Sequence, residues 1–394
     1  MRYVSVGEVP KKRHTVHYLP SGERLAEELM GERGFAGSFA LLYHRRSPSA
    51  LSSVSAAEHE EPALHPNYPL SPWHLRVGKL AGGATADAAT ADAVRGRVAL
   101  LGNESLTLSY FLATQASGLF RDARGDELYF FQSGRAVLET VFGALDVGAG
   151  DYALVPASAT HRVVPDPGAG PLQGLVLEAR GHIDVPLRYL TERGQVKEGA
   201  PYSERDFRVP AEPLVVEGED VEVVVATRSG WSRHRHLWHP FDVVGWDGSL
   251  YPFVFSIYDF EPVVGRYHQP PPVHQTFEGP GFVVCSFVPR PYDFGDGAVK
   301  IPYHHANVDS DEVIYYLSGD FMSRVGSGIE VGSMTLHPAG FVHGPQPGSV
   351  EASMAATRTD EVAVMVDTFS PLALSDAALS VADPTYLLSW GPRR

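Results

Sequence analysis

Two short stretches near the carboxy-terminal end hold the side chains best suited to bind a metal ion. The first reads His305-x-Asn307-x4-Glu312-x6-Gly319, and the second Gly332-x5-Pro338-x-Gly340-x2-His343. Two imidazoles and one carboxylate on one face of a metal form the facial triad of non-haem Fe(II) oxygenases. That arrangement leaves coordination positions open for O2 and substrate. The neutral amide of Asn307 suits a three-ligand site better than a four-ligand one.

Strands must bring these groups together. Val313 to Ser318 is a β-prone run in which Val313, Tyr315 and Leu317 share one face. Gly319, Gly332 and Gly340 mark the turns. In a small antiparallel barrel, strands distant in sequence face each other across the lumen, so His305 and Glu312 can converge with His343. A faded copy precedes them: Glu127-x6-Gly134, then Gly150-x5-Pro156-x-Ser158-x2-His161. Phe120 and Asp122 stand where His305 and Asn307 would be. The spacing predicts an internal duplication, with the first barrel kept as a metal-free scaffold. The expected class is all-β: two antiparallel jelly-roll lobes, an N-terminal arm and few short helices. The expected divisions are 1–97 for arm and loop, 98–230 for the degenerate barrel, and 231–394 for the catalytic barrel and tail.

The chain has 394 residues and a formal charge of −15, with short basic clusters such as Lys11-Lys12-Arg13 and Arg393-Arg394 but no long basic block. Nucleic acid and anionic membranes are therefore poor partners. Cys285 is the single cysteine, which excludes an intramolecular disulfide and a thiolate cluster. Its apolar surroundings predict a passive core thiol. The start of the chain lacks the apolar run of a signal peptide, and no window reaches about 20 apolar residues. A cytoplasmic location is expected.

Elsewhere, Ser21 to Gly31 reads as a short helix with Ser21 as N-cap. The Ala, Thr, Asp and Gly-rich run from Gly82 to Arg97 reads as a flexible surface loop. Leu214 to Val216 and Val221 to Val225 read as strands. His234 and His236 form an HxH pair with no downstream partner at ligand spacing, which predicts surface or interface residues. Phe369 to Trp390 is apolar enough to dock as a helix-turn segment interrupted by Pro384.

The paired motifs resemble those of the cupin superfamily, many members of which carry a histidine at the Asn307 position. HPFDVVGWDGSLYPF (239–253), YHQPPPVHQTF (267–277) and PRPYDF (289–294), with the two metal-type stretches, resemble the homogentisate 1,2-dioxygenase family. That resemblance implies Fe(II) held by His305, Glu312 and His343, with His268 as the acid/base for the phenolic proton. His274 is then structural, and His337 lies beside the site and orients a ligand. Phe321 stands where many relatives have a tyrosine, so a hydroxyl that could bond substrate is missing. Phe321, His337 and His343 are the residues expected at the substrate. The resemblance implies conversion of homogentisate and O2 to 4-maleylacetoacetate, by a homo-oligomer that is a trimer or hexamer. Two alternatives remain open: a dioxygenase of another dihydroxy aromatic acid such as gentisate, and a non-catalytic metal-binding cupin. By charge alone, Arg290 and Arg324 are candidates to anchor a substrate carboxylate, with a solvated surface position as the plainer fate of either.

Overall fold

The computed structural model describes residues 3–82, 91–324 and 327–391. It is all-β and two-lobed. The described residues include two short α-helices, Ser349–Ser353 and Asp376–Ser380. No helix among them is long and apolar enough to cross a membrane. Among the described residues, strand pairing is antiparallel except where Leu119–Asp122 runs parallel to Glu219–Thr227.

In the first lobe a nine-stranded and a seven-stranded sheet share a core that includes Phe111, Tyr129, Phe131, Leu138 and Val223. In the second, a six-stranded sheet places Asp311–Ser318 between Val362–Thr368 and Met334–His337. Alternation along Asp311–Ser318 decides what each face does. Val313, Tyr315 and Leu317 join a large core shared with Phe130, Tyr152 and Phe255 of the first lobe. Glu312, Ile314 and Tyr316 turn the other way and line a cavity. The lobes are pinned together by polar contacts as well. Tyr152 Oη meets Ser286 Oγ at 2.9 Å, and Tyr315 donates to Gln132.

The N-terminal segment threads both lobes. Leu51–Ala56 pairs with Gly230–Trp238, Leu64–Pro66 with Ala373–Ser375, and Trp73–Leu75 with Met334–His337. Gly230–Trp238 and Phe253–Ser256 pair with sheets of the first lobe, the latter against Asp151–Val155, while Val243–Gly248 pairs with Val4–Gly7 and Phe39–His44 in a four-stranded sheet.

Four local expectations change. Ala26–Gly31 is a strand paired with Phe39–His44, not a helix. Eleven residues are too few for helix propensity to prevail over a ladder that buries Leu41 and Tyr43. Residues 83–90 of the expected loop lie outside the described residues, but Ala91, Ala93 and Val94 are buried. Leu214 to Val216 is irregular, whereas Glu219–Thr227 is a strand. His236 is buried rather than on the surface. As expected, Cys285 is buried, on the strand Phe282–Phe287, and burial pushes its thiol up.

Candidate metal centre

His305 and His343 face each other as a hydrogen-bonded backbone pair, each N–H donating to the other's carbonyl at 2.9 Å. Their side chains therefore leave the same face, with ring centroids 4.4 Å apart. Each ring is turned by its own chain. His305 Nδ1 lies 2.9 Å from Tyr303 O, and His343 Nδ1 lies 3.0 Å from Phe341 O. An Nδ1–H that donates to a carbonyl leaves the Nε2 lone pair free for a metal. His305 Nε2 is 3.8 Å from Glu312 Oε2, and His343 Nε2 is 3.3 Å from Glu312 Oε1. The second contact is not aligned as a hydrogen bond, so His343 Nε2 is a buried nitrogen with no hydrogen-bond partner among the described residues.

The ligand-type atoms of His305, Glu312 and His343 all lie within 4.8 Å of one another, close enough to hold one ion. The donor set fits a divalent transition metal: two neutral-capable imidazoles, one carboxylate and an orphaned nitrogen. Burial opposes ionisation of Glu312, yet the contacts of His305, His337 and His343 outweigh it and hold the carboxyl well below its usual range.

His337 is fully buried and opposite Glu312 in the ladder. Its Nδ1 is 2.9 Å from Glu312 Oε1, and its Nε2 is 2.9 Å from Tyr386 Oη. Burial pushes its imidazole down to about 3, so the ring is neutral. The consistent tautomer has Tyr386 O–H donating to Nε2 and Nδ1–H donating to the carboxylate.

The cavity in front of this trio has a volume of about 350 Å³. His268 lies on its wall, 3.8 Å from Asp293 through Nδ1, and Tyr303 makes edge contacts with both His268 (5.4 Å) and His305 (6.1 Å). His274 is buried against Phe287, and burial holds it down at about 3. Arg324 is buried rather than solvated. It donates to Gly344 O at 2.9 Å and to Tyr316 Oη at 3.3 Å. Arg290 and Lys300 add two more cations to the same wall.

The structure brings together His305, Glu312, His343 and His337, with His268 at the same cavity. It sets Phe321 apart: this ring packs on Tyr316 at 5.0 Å, away from the cavity wall. Asp367 went unnoticed in the sequence. It lies opposite Glu312 in the ladder and lines the cavity, with Oδ1 buried and unpaired among the described residues. Burial, then the charge of Glu312, pushes its carboxyl up to about 7. A lone acid after Val364-Met365-Val366 was the available signal.

The first lobe repeats this plan. His161 pairs with Phe120 as His343 pairs with His305, and Glu127 opposes Glu178 as Glu312 opposes Asp367. A guanidinium is the cation here. Arg97 Nη1 is 2.5 Å from Glu127 Oε1 and 3.2 Å from Glu178 Oε1.

A family model for the N-terminal part of homogentisate 1,2-dioxygenase matches residues 53–257, just over half the chain. A protein of Saccharolobus solfataricus that carries the provisional name of a dioxygenase is 38% identical, with 98% of each chain covered. The chain belongs to the homogentisate 1,2-dioxygenase family. It is thereby a cupin dioxygenase. Within that family, the Emericella nidulans homogentisate 1,2-dioxygenase is 27% identical over 60% of this chain and 54% of its own. The Caenorhabditis elegans enzyme of the same name is 28% identical over 68% and 63%. Both matches thus span less than two thirds of the relative's length. Among solved structures, a cupin-2 conserved barrel domain protein from Leptotrichia buccalis covers 80% of this chain at 10% identity and a TM-score of 0.36.

Proposed function

We propose that this chain is an Fe(II)-dependent ring-cleaving dioxygenase that converts homogentisate and O2 to 4-maleylacetoacetate, in tyrosine and phenylalanine catabolism. The observation that carries the reading is the convergence of His305 Nε2, Glu312 and His343 Nε2 beside a cavity whose wall includes Arg290, Lys300 and Arg324. Fe(II) held there would supply open positions for O2 and a substrate oxygen, and the redox chemistry that joins them.

The chain's own residues prepare the rest. Tyr303 and Phe341 carbonyls fix the two imidazoles, and His337 with Tyr386 fixes Glu312. Arg290, Lys300 and Arg324 favour a carboxylate-bearing substrate. Phe287, Ile314 and Pro271 give a flat apolar wall for its ring and limit the water around it. His268 is the proton acceptor for the ring hydroxyl, a role that suits an imidazole on the cavity wall. Phe321 is off that wall, and Tyr316, beside Arg324, and Tyr303 are among the hydroxyl-bearing residues that line it.

The proposal includes a cytoplasmic homo-oligomer, a trimer or hexamer. The test is oxygen uptake by the ferrous-reconstituted protein with homogentisate and, separately, with gentisate. Uptake with homogentisate alone supports the reading. Uptake with gentisate alone moves the substrate, and none with either leaves a binding cupin.

A further inference from the structure

The strand Val362–Thr368 runs along one wall of the cavity at the metal centre. Glu361 just before it, then Met365 and Asp367 on the same face, line the hollow. The wall is polarised along the strand. Arg290 pairs with Thr359 ahead of its start, and Arg324 bonds the hydroxyl of Tyr316, whose backbone opposes Ala363. Ile314 opposes Met365 in the middle, and Glu312 opposes Asp367 at the far end. Four residues of strand, from Ala363 to Asp367, span about 13 Å. An aromatic acid with its carboxylate at the cations therefore lays its ring on Ile314 and Met365, and its ring substituents point towards Glu312 and Asp367.

Asp367 has nothing of the chain's own to bind. Among the described residues its carboxyl has neither a hydrogen bond nor an ion pair, although three cations share the cavity. Oδ1 is sealed from water, but Oδ2 is not: the residue is half-buried and its open side faces the hollow. Nor is it a fourth ligand, because the group close enough to share one ion is His305, Glu312 and His343 without it.

The chemistry of the substrate class narrows what such a group can do. A carboxyl offers an acceptor oxygen whether ionised or protonated. A ring hydroxyl that binds a metal gives up its proton and has none left to donate, whereas a second hydroxyl on the same ring keeps its own. We propose that Asp367 is a specificity-determining residue of this cavity, its carboxyl accepting a hydrogen bond from the ring hydroxyl that does not bind the metal. The proposal rests on the reading of the substrate as a dihydroxy aromatic acid, and it makes the second hydroxyl a requirement of recognition.

Binding without turnover tests it. The ferrous-reconstituted full-length protein, held without O2, is titrated by calorimetry with homogentisate and with 2-hydroxyphenylacetate and 3-hydroxyphenylacetate, each of which keeps one of the two ring hydroxyls. The parent should bind homogentisate about tenfold or more tightly than the better of the two monohydroxy acids, as a hydrogen bond to a charged group allows. Asp367→Ala should abolish that preference. Asp367→Asn, which keeps the shape and a weaker, neutral acceptor, should lower it by about threefold or more, with iron content at the parent's level. A parent without the preference, an Asp367→Asn protein that keeps it in full, or loss of iron from Asp367→Asn overturns the proposal. Oxygen uptake by the parent with homogentisate tells the two readings apart. A preference that depends on Asp367 without any uptake removes the dioxygenase and leaves the hydroxyl contact standing.

Discussion

Glu312 is held ionised by three histidines in a place where burial alone would protonate it, and each of the three can be removed separately. His305→Ala should lose bound iron and turnover together, as read by metal analysis and oxygen uptake. His268→Ala should retain iron while kcat falls by about 10²–10⁴, the usual contribution of a positioned acid or base. His337→Leu should keep the fold and weaken iron binding by about 10–100-fold, because the carboxylate loses the group that orients it. Titration of the apoprotein with ferrous ion checks the last. At this scale the sequence was legible where chemistry is tied to spacing: two histidines and one glutamate at fixed offsets from turn glycines have few ways to be arranged. Phe321 was misleading because its position was inferred by alignment with a tyrosine, whereas its φ of +40° belongs to a turn that packs the ring on Tyr316. Arg97 as the cation of the first lobe was invisible, since the loop that delivers it carries no motif.

Individual strands are held by devices that pH and backbone geometry can test. His44, on Phe39–His44, bridges Glu28 of the adjacent strand and Asp242, with Nε2 and Nδ1 at 2.8 and 2.6 Å from the two carboxylates. Burial lowers its pKa, but the two hydrogen bonds outweigh this and raise it from 6.5 to about 9. A folded-state pKa above the unfolded one stabilises in full below about pH 6.5 and is lost as pH rises through about 9. The bridge contributes roughly 3 kcal/mol at most. His44→Gln should therefore flatten the fall in urea midpoint between pH 6.5 and 9 that the parent shows. Gly319 closes the strand that bears Glu312 at φ +105°, and a Cβ there would sit 2.4 Å from Asp360 O. Gly319→Ala should cost about 1–3 kcal/mol in denaturant unfolding. The strand Asp311–Ser318 was readable from its alternation. Ala26–Gly31 was not, because its Glu-rich, Leu-containing composition favours a helix and only the distant partner Phe39–His44 makes it a strand.

For the whole molecule, the core shared by Phe130, Tyr152, Phe277 and Val313 ties the lobes into one cooperative body. Calorimetry should show a single unfolding transition; two resolved transitions would contradict this. Phe277→Ala, in contact with Tyr152, Phe253 and Phe255, should lower stability by about 3–5 kcal/mol across the entire chain. Two lobes were legible from the repeated motif. Their stitching was not, since pairings between residues some 260 positions apart leave no local pattern. One of those stitches governs how the protein is made. Trp73–Leu75 is the edge strand beside Met334–His337, so it leaves the ribosome long before its partner is synthesised. At about 5–20 residues per second the delay is on the order of ten seconds to a minute. During that interval its backbone donors need a chaperone or water, and the pocket of His305, Glu312 and His343 cannot be completed until those residues and the strand Met334–His337 have been made.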